Sequence, residues 1–268
     1  GVPELIPLVV AGRAIAAAPP FDTRARLAIF GEDLIAAAVV HLSPERMPGV
    51  EGPGDAIGAI VPLLARRDGF GRFATADGRG ATFTDAGGRR AALTTTGVPW
   101  TNARPIDRTS FGIGMLYHFS GDALAQSRDH MGNNESTGTI FPAILSRAVG
   151  SASDQMLRWK GITNTWITGQ PTTVGQRLSI SNPGWYILAV DEAFGNSALA
   201  IGLREAVVAP SDGIVSTLSS IRFGGSSDAT PGLGAVAAFL VCDGPLVQDA
   251  ARLAAWRAFA AAVLDDIR

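Results

Sequence analysis

Two stretches of this chain gather side chains with the chemistry to hold a ligand. The first is RDHMGNNEST, residues 128–137, where Asp129, His130, Asn133, Asn134 and Glu135 crowd one polar segment. Carboxylate and amide oxygens of this kind suit a calcium ion or the hydroxyls of a sugar. The regular spacing of a calcium loop is missing, so no metal site is assigned, and a solvated loop accounts for the same residues. The second is LRWKGITNTW, residues 157–166, where Trp159 and Trp166 flank a polar turn containing Lys160, Thr163 and Asn164. Exposed aromatic rings stack on the apolar face of a sugar while amides bond its hydroxyls. Tryptophan is buried on average, so anchoring in the core is the competing reading of both rings.

Catalysis would need reactive residues in recognisable arrangements. A retaining glycosidase needs two carboxyl groups about 5–5.5 Å apart, which alternating acids on one strand would supply. No such run occurs. Asp191 and Glu192 are adjacent, so on a strand they would point to opposite faces, and they read as turn residues without a special role. There is no Gly-x-Ser-x-Gly nucleophile turn, and the three histidines are His41, His118 and His130. His41 ends an apolar run and His118 lies between Tyr117 and Phe119, so both read as structural. The glycines of GFGRF at Gly69 and GIG at Gly112 lack the third glycine and following helix of a phosphate loop. They read as turns and strand bulges. The expectation is no catalytic residue, no cofactor and no enzyme.

The bulk properties narrow the partners. The formal charge of −2 leaves no basic footprint for nucleic acid. Cys242 is the single cysteine, which excludes an intrachain disulfide and a thiolate metal cluster. The apolar stretch from Leu5 to Ala18 is broken by Pro7 and Arg13, too short to cross a bilayer, and lacks a preceding basic segment. It reads as a buried strand.

The elements that must position any site fall into three zones. Residues 1–50 carry two apolar runs, the second of which, LAIFGEDLIAAAVVHL, reads as two strands about Gly31-Glu32-Asp33, with a helix open for its second half. Met47 to Gly58 is proline- and glycine-rich and marks a boundary. From about Ala59 to Ile221 short candidate strands alternate with turn clusters such as DGRG, DAGG and NPG. They include Ile60–Leu64, Arg90–Thr95, Phe111–Phe119, Ile140–Arg147, Gln155–Trp159, Thr165–Thr168, Arg177–Ile180, Gly184–Asp191 and Ser197–Arg204. This pattern predicts an all-β, two-sheet antiparallel sandwich rather than a βαβ sheet. Residues 249–267 predict one helix, capped by Asp249, with Leu253, Trp256, Ala260, Val263, Leu264 and Ile267 on an apolar stripe.

Four segments in order resemble the concanavalin A-like lectin/glucanase superfamily, and within it the laminin-G-like jelly rolls of bacterial and phage surface proteins. FTDAGGRRAALTT (83–95) resembles the opening turn and strand, and GWYILAVD (184–191) the central strand with its aromatic pair. SIRFGGSS (220–227) is similar to the strand and double glycine that follow. AVAAFLVCDGPLVQDAARL (235–253) is similar to the closing strand, loop and helix. The family's Asn-Gly hairpin beside the central strand is replaced by Ile201-Gly202, in a small, alanine-rich region.

The resemblance covers roughly residues 59–268 and implies a jelly-roll sandwich with a C-terminal helix and a small N-terminal β-rich appendage. Residues 1–50 then read as an anchoring segment and 59–268 as the lectin-like domain. The function expected is a non-catalytic carbohydrate- or receptor-binding surface protein, part of a phage-like particle. It would bind cell-surface glycan, dock on neighbouring particle proteins through residues 1–50, form a homo-oligomer, and reside on a virion or cell surface. A purely structural assembly protein and a polysaccharide-degrading enzyme are the alternatives.

Overall fold

The computed structural model describes residues 23–39, 56–57, 59–60, 64–65, 73–74, 81–86, 90–93, 98–106, 110–125, 128–133, 143–148, 156–159, 177–180, 182–210, 218–223 and 234–266. Among these, eighteen strands form two antiparallel sheets. The first runs in the order β16 (Val207–Pro210), β15 (Asn196–Ile201), β14 (Gly184–Ala193), β9 (Phe111–Phe119), β18 (Ala235–Asp243), β7 (Arg90–Leu93), β6 (Ala81–Asp85) and β2 (Ala56–Ile57). β1 (Leu34–Val39) joins this sheet by pairing with β18, and also pairs with β4 (Leu64–Ala65). The second runs β13 (Arg177–Ser179), β12 (Met156–Trp159), β11 (Ala143–Ala148), β10 (Arg128–Asn133), β17 (Leu218–Phe223), β8 (Val98–Ile106), β5 (Phe73–Ala74) and β3 (Ala59–Ile60). The all-β sandwich with a C-terminal helix is therefore the fold.

The centre of the first sheet is β14, β9 and β18, paired over nearly their whole length. Sequence explains why these three sit inside. FGIGMLYHF is buried at every position but His118, and AVAAFLVCD at every position but its last. Strands apolar on both faces need a cover on both sides. On one side Tyr117 and Phe119 meet His130 of β10, which joins the two sheets face to face. On the other, after the short α2 (Gly121–Ala125), lies α3 (Ala250–Asp266), whose Leu253, Trp256, Phe259, Ala260 and Val263 are buried against the sheet.

The helix begins as its sequence dictates. Asp249 Oδ1 accepts from the backbone N–H groups of Ala251 and Arg252 at 3.0 and 3.1 Å, satisfying two donors of the first turn. Trp256 then lies over Gly114 and donates from Nε1 to the Leu188 carbonyl at 3.0 Å. A Cβ on Gly112 or Gly114 would stand 2.4 Å from Leu246 or Trp256 respectively. The GIG glycines are thus neither turn nor bulge residues; they lie mid-strand and let the helix and its leading loop approach the backbone. Ala189, Ala198 and Ala200 of β14 and β15 belong to the same cluster. The alanine-rich stretch is a floor of small side chains beneath α3.

The N-terminal segment departs from its sequence reading. α1 (Thr23–Arg26) and a 3-10 turn, Ala28–Asp33, replace the first expected strand, while the second half is β1, not helix. Leu27 and Phe30 enter the core cluster beside α3. Arg252 binds Asp33, stands over the Phe30 ring at 5.7 Å, and donates to the Asp243 carbonyl at 3.0 Å. Residues 23–39 therefore pack as part of the sandwich instead of as an appendage, because β18 needs a partner along residues 238–242, beyond the reach of β7. Ala56–Ile57, at the end of the expected linker, is a strand as well.

Candidate functional site

Among the residues expected to bind a ligand, His130 lies in a strand. Residues 128–133 are not a loop but β10, hydrogen-bonded to β11 on one side and β17 on the other. The His130 side chain is wholly buried between the sheets, with Nδ1 3.1 Å from Tyr117 Oη and its ring 4.8 Å from that of Phe119. An imidazole held edge-on to two aromatic rings joins the sheets and does not face a ligand. A register shift in β10 between Asp129 and Met131 sets two consecutive residues, His130 and Met131, into the interior. A loop reading of residues 128–137 does not predict this.

The other candidates divide. Asp129 and Asn133 are β10 residues, and Trp159 ends β12. Trp159 pairs with Leu145, which pairs with Met131, so it falls on the register row of a buried residue. Asp129 falls on another row, which continues through Ser146 and Arg158 to Arg177. The register thus brings Asp129 into line with Arg158 two strands away and Arg177 three strands away, and does not bring it together with Trp159. Lys160, Asn164, Trp166, Asn134, Glu135 and His41 lie outside the described residues.

Two acidic residues dismissed as turn residues are strand residues of β14. Asp191 is buried, and its Oδ2 accepts three backbone N–H groups, from Leu246 at 2.8 Å, Val247 at 2.6 Å and Gln248 at 2.8 Å. Its Oδ1 accepts from Gln248 Nε2 at 2.9 Å. Burial raises the Asp191 carboxyl above the usual carboxylate range, and these hydrogen bonds pull it back. All its accepting capacity toward the chain is spent on the loop that leads into α3, so Asp191 is a structural clamp. Glu192, on the opposite side of the strand, is buried too. The signal missed in sequence was an acid next to a small-residue strand facing a glycine opposite it, Gly112.

Gln248 carries the clamp outward. Its Nε2 also lies 3.3 Å from the carbonyls of Ala193 and Asn196, the residues on either side of the β14–β15 turn. That turn is Phe194-Gly195, not Ile201-Gly202 as expected, and both residues have positive φ, 55° and 74°. Two positive φ values match the right-handed twist of a two-residue hairpin, normally filled by Asn-Gly. Phe194 is 77% exposed. At the other end of β14, Trp185 donates from Nε1 to the Ala86 carbonyl at 3.1 Å and its ring lies 5.2 Å from His118. Burial lowers the His118 pKa. No group of three or more histidine, cysteine or acidic side chains is placed to hold a metal among the described residues.

No protein-family model matches the chain, and no curated protein matches it in sequence. Solved structures do match in fold. A Trypanosoma rangeli sialidase, in complex with 2,3-difluorosialic acid as a covalent intermediate, has a TM-score of 0.50 at 10% identity over 88% of this chain and 33% of its own. A mutant of that sialidase with trans-sialidase activity gives 0.50 at 9% identity, over the same shares of each chain. A GH54 α-L-arabinofuranosidase gives 0.48 at 11%, over 90% of this chain and 65% of its own. This chain spans about a third of the sialidase chains. At this identity the likeness is one of fold alone, that of the antiparallel sandwich described above.

Two expectations are corrected by these neighbours. The chain was read as no enzyme and as part of a phage-like particle, yet the solved chains named above, with a third of whose length it shares its fold, are sialidases. The lack of a catalytic pattern in the sequence carried the first error. Carboxylates brought together by folding need not be near one another in sequence, and Asp191 shows how poorly linear spacing reports a residue's setting.

Proposed function

We propose that the chain is a carbohydrate-engaging β-sandwich of a glycan-processing enzyme. The observation that carries the reading is the two-sheet fold, shared over 88% of the chain with one third of a sialidase. The finer assignment to the concanavalin A-like superfamily, in its laminin-G-like branch, rests on the four ordered segments. Three of them are the β6–β7 hairpin, β14 and β17, and the fourth is β18 with the loop into α3. Glycan is the partner this reading requires. Asp129, in one register row with Ser146, Arg158 and Arg177, is the carboxylate to test first.

The test uses the full chain. Hydrolysis is measured with a set of aryl glycosides including a sialoside and an arabinofuranoside, and binding by affinity electrophoresis through gels containing arabinan, xylan or sialylated mucin. The reading expects turnover of at least one glycoside that Asp129→Asn lowers, or retardation in at least one gel. No turnover and no retardation overturns it.

A further inference from the structure

We propose that Phe194, at the tip of the β14–β15 hairpin, is a stacking platform for a sugar ring; this rests on the carbohydrate reading above. The position is unusual twice over. Phe194 is the one residue other than glycine with positive φ among the described residues, and a bulky side chain there is strained where Asn, Asp or Gly would not be. It is also 77% exposed, so the ring gains little from its own chain.

Strain of this kind persists only where the surroundings over-determine it. Here they do. Gln248 Nε2 bridges the Ala193 and Asn196 carbonyls from behind the turn and is itself held by Asp191 Oδ1. Asn196 Nδ2 donates to the Phe194 carbonyl at 3.2 Å, closing the turn from its other side. The hairpin base is thereby tied to the loop before α3, and the ring is presented from a fixed backbone. A rigid support behind an exposed group lowers the ordering cost of binding.

The surroundings select the ligand class. Gly195 is exposed and Asn196 half-buried, so the ring stands beside a glycine and an amide in the chain. A stable protein interface needs about 800 Å² from each partner. A single ring with a neighbouring amide instead matches one pyranose or furanose, whose C–H face stacks and whose hydroxyls bond amides.

The test compares the full chain with Phe194→Asn, Phe194→Gly and Phe194→Trp. Asn and Gly suit the turn, so both variants melt at or above the parent temperature. In the arabinan, xylan or mucin gel that retards the parent, they bind about tenfold more weakly, the scale of losing one interfacial anchor, and Phe194→Trp retains binding. Equal retardation of parent and Phe194→Asn overturns the proposal while leaving the carbohydrate reading intact. Loss of self-association on gel filtration, with retardation unchanged, overturns it in favour of a protein contact. A parent chain that neither hydrolyses nor binds any of these glycans overturns both.

Discussion

Replacing Gly114 by alanine tests the seat of the C-terminal helix. An added Cβ would lie 2.4, 2.6 and 2.7 Å from Cε2, Cδ2 and Cζ2 of Trp256. Carbon atoms in contact prefer about 3.5–4.0 Å, so the ring must retreat by roughly 1 Å. It has nowhere to go: Trp256 is wholly buried, stacks on Phe259 at 5.8 Å, and is held by the Leu188 carbonyl. Overpacking of a rigid ring costs about 1–3 kcal/mol, and loosening a buried hydrogen bond adds about 1 kcal/mol. Removing glycine from a strand returns about 0.5–1 kcal/mol. The expected net loss is about 2–3 kcal/mol, read as a lower urea midpoint at unchanged slope. Trp256→Ala alone costs about 3–5 kcal/mol. In that background Gly114→Ala keeps only the glycine gain and becomes stabilising by about 0.5–1 kcal/mol, leaving a coupling of about 2–4 kcal/mol. An unchanged midpoint for Gly114→Ala, or an equal loss in both backgrounds, would refute the packing argument.

Two further outcomes follow from the polar groups. Asp191→Ala strands three backbone donors before α3; at about 1–3 kcal/mol for each buried group left unsatisfied, partly relieved by water, the expected loss is about 3–5 kcal/mol, and a urea midpoint within experimental scatter of the parent's would show that the loop re-forms without its clamp. His118 has a folded-state pKa below its ordinary 6.5 because burial disfavours the cation. Between the two values the unfolded chain binds more protons, so stability is lost as pH falls through and below about 6.5. In a pH series of urea midpoints, His118→Asn should flatten that part of the curve, and an identical curve would exclude the histidine as its source.

The parts legible in sequence are those whose burial is uniform. β9, β14 and β18 are long apolar runs, and α3 shows its stripe and its Asp249 cap directly. What was not legible depends on neighbours distant in the chain. The run before Gly31 reads as a strand yet forms a 3-10 turn because Leu27 and Phe30 pack into the core beside α3, whereas LIAAAV, read as a strand, is β1. The GIG glycines look like turn residues until Trp256 is seen above one of them. His130 looked like a loop residue because its polar neighbours masked a strand with a register shift. The turn at Phe194-Gly195 is not legible because phenylalanine is not a turn-forming residue; Gln248 and the Asn196 side chain hold it in that conformation.

The same packing limits where a ligand can reach the described part of the first sheet. Beneath α3 its outer face at β9, β14 and β18 carries glycine and alanine on which the helix packs closely, while Trp185 and Ile187 at the far end of β14 are half-buried. Its inner face is filled by Phe111, Met115, Tyr117, Phe119 and His130, all with no exposed surface. Burial of Asp191 and Glu192 removes the two acids of the central strand from any solvent-facing role. What remains at the centre of this sheet is the rim, where strands turn. The Phe194 tip is one such place, and it is joined through Gln248 and Asp191 to the loop that seats α3. Docking of the helix and presentation of the exposed ring therefore share one set of hydrogen bonds, so a change that frees the Asp191 clamp should also loosen the hairpin.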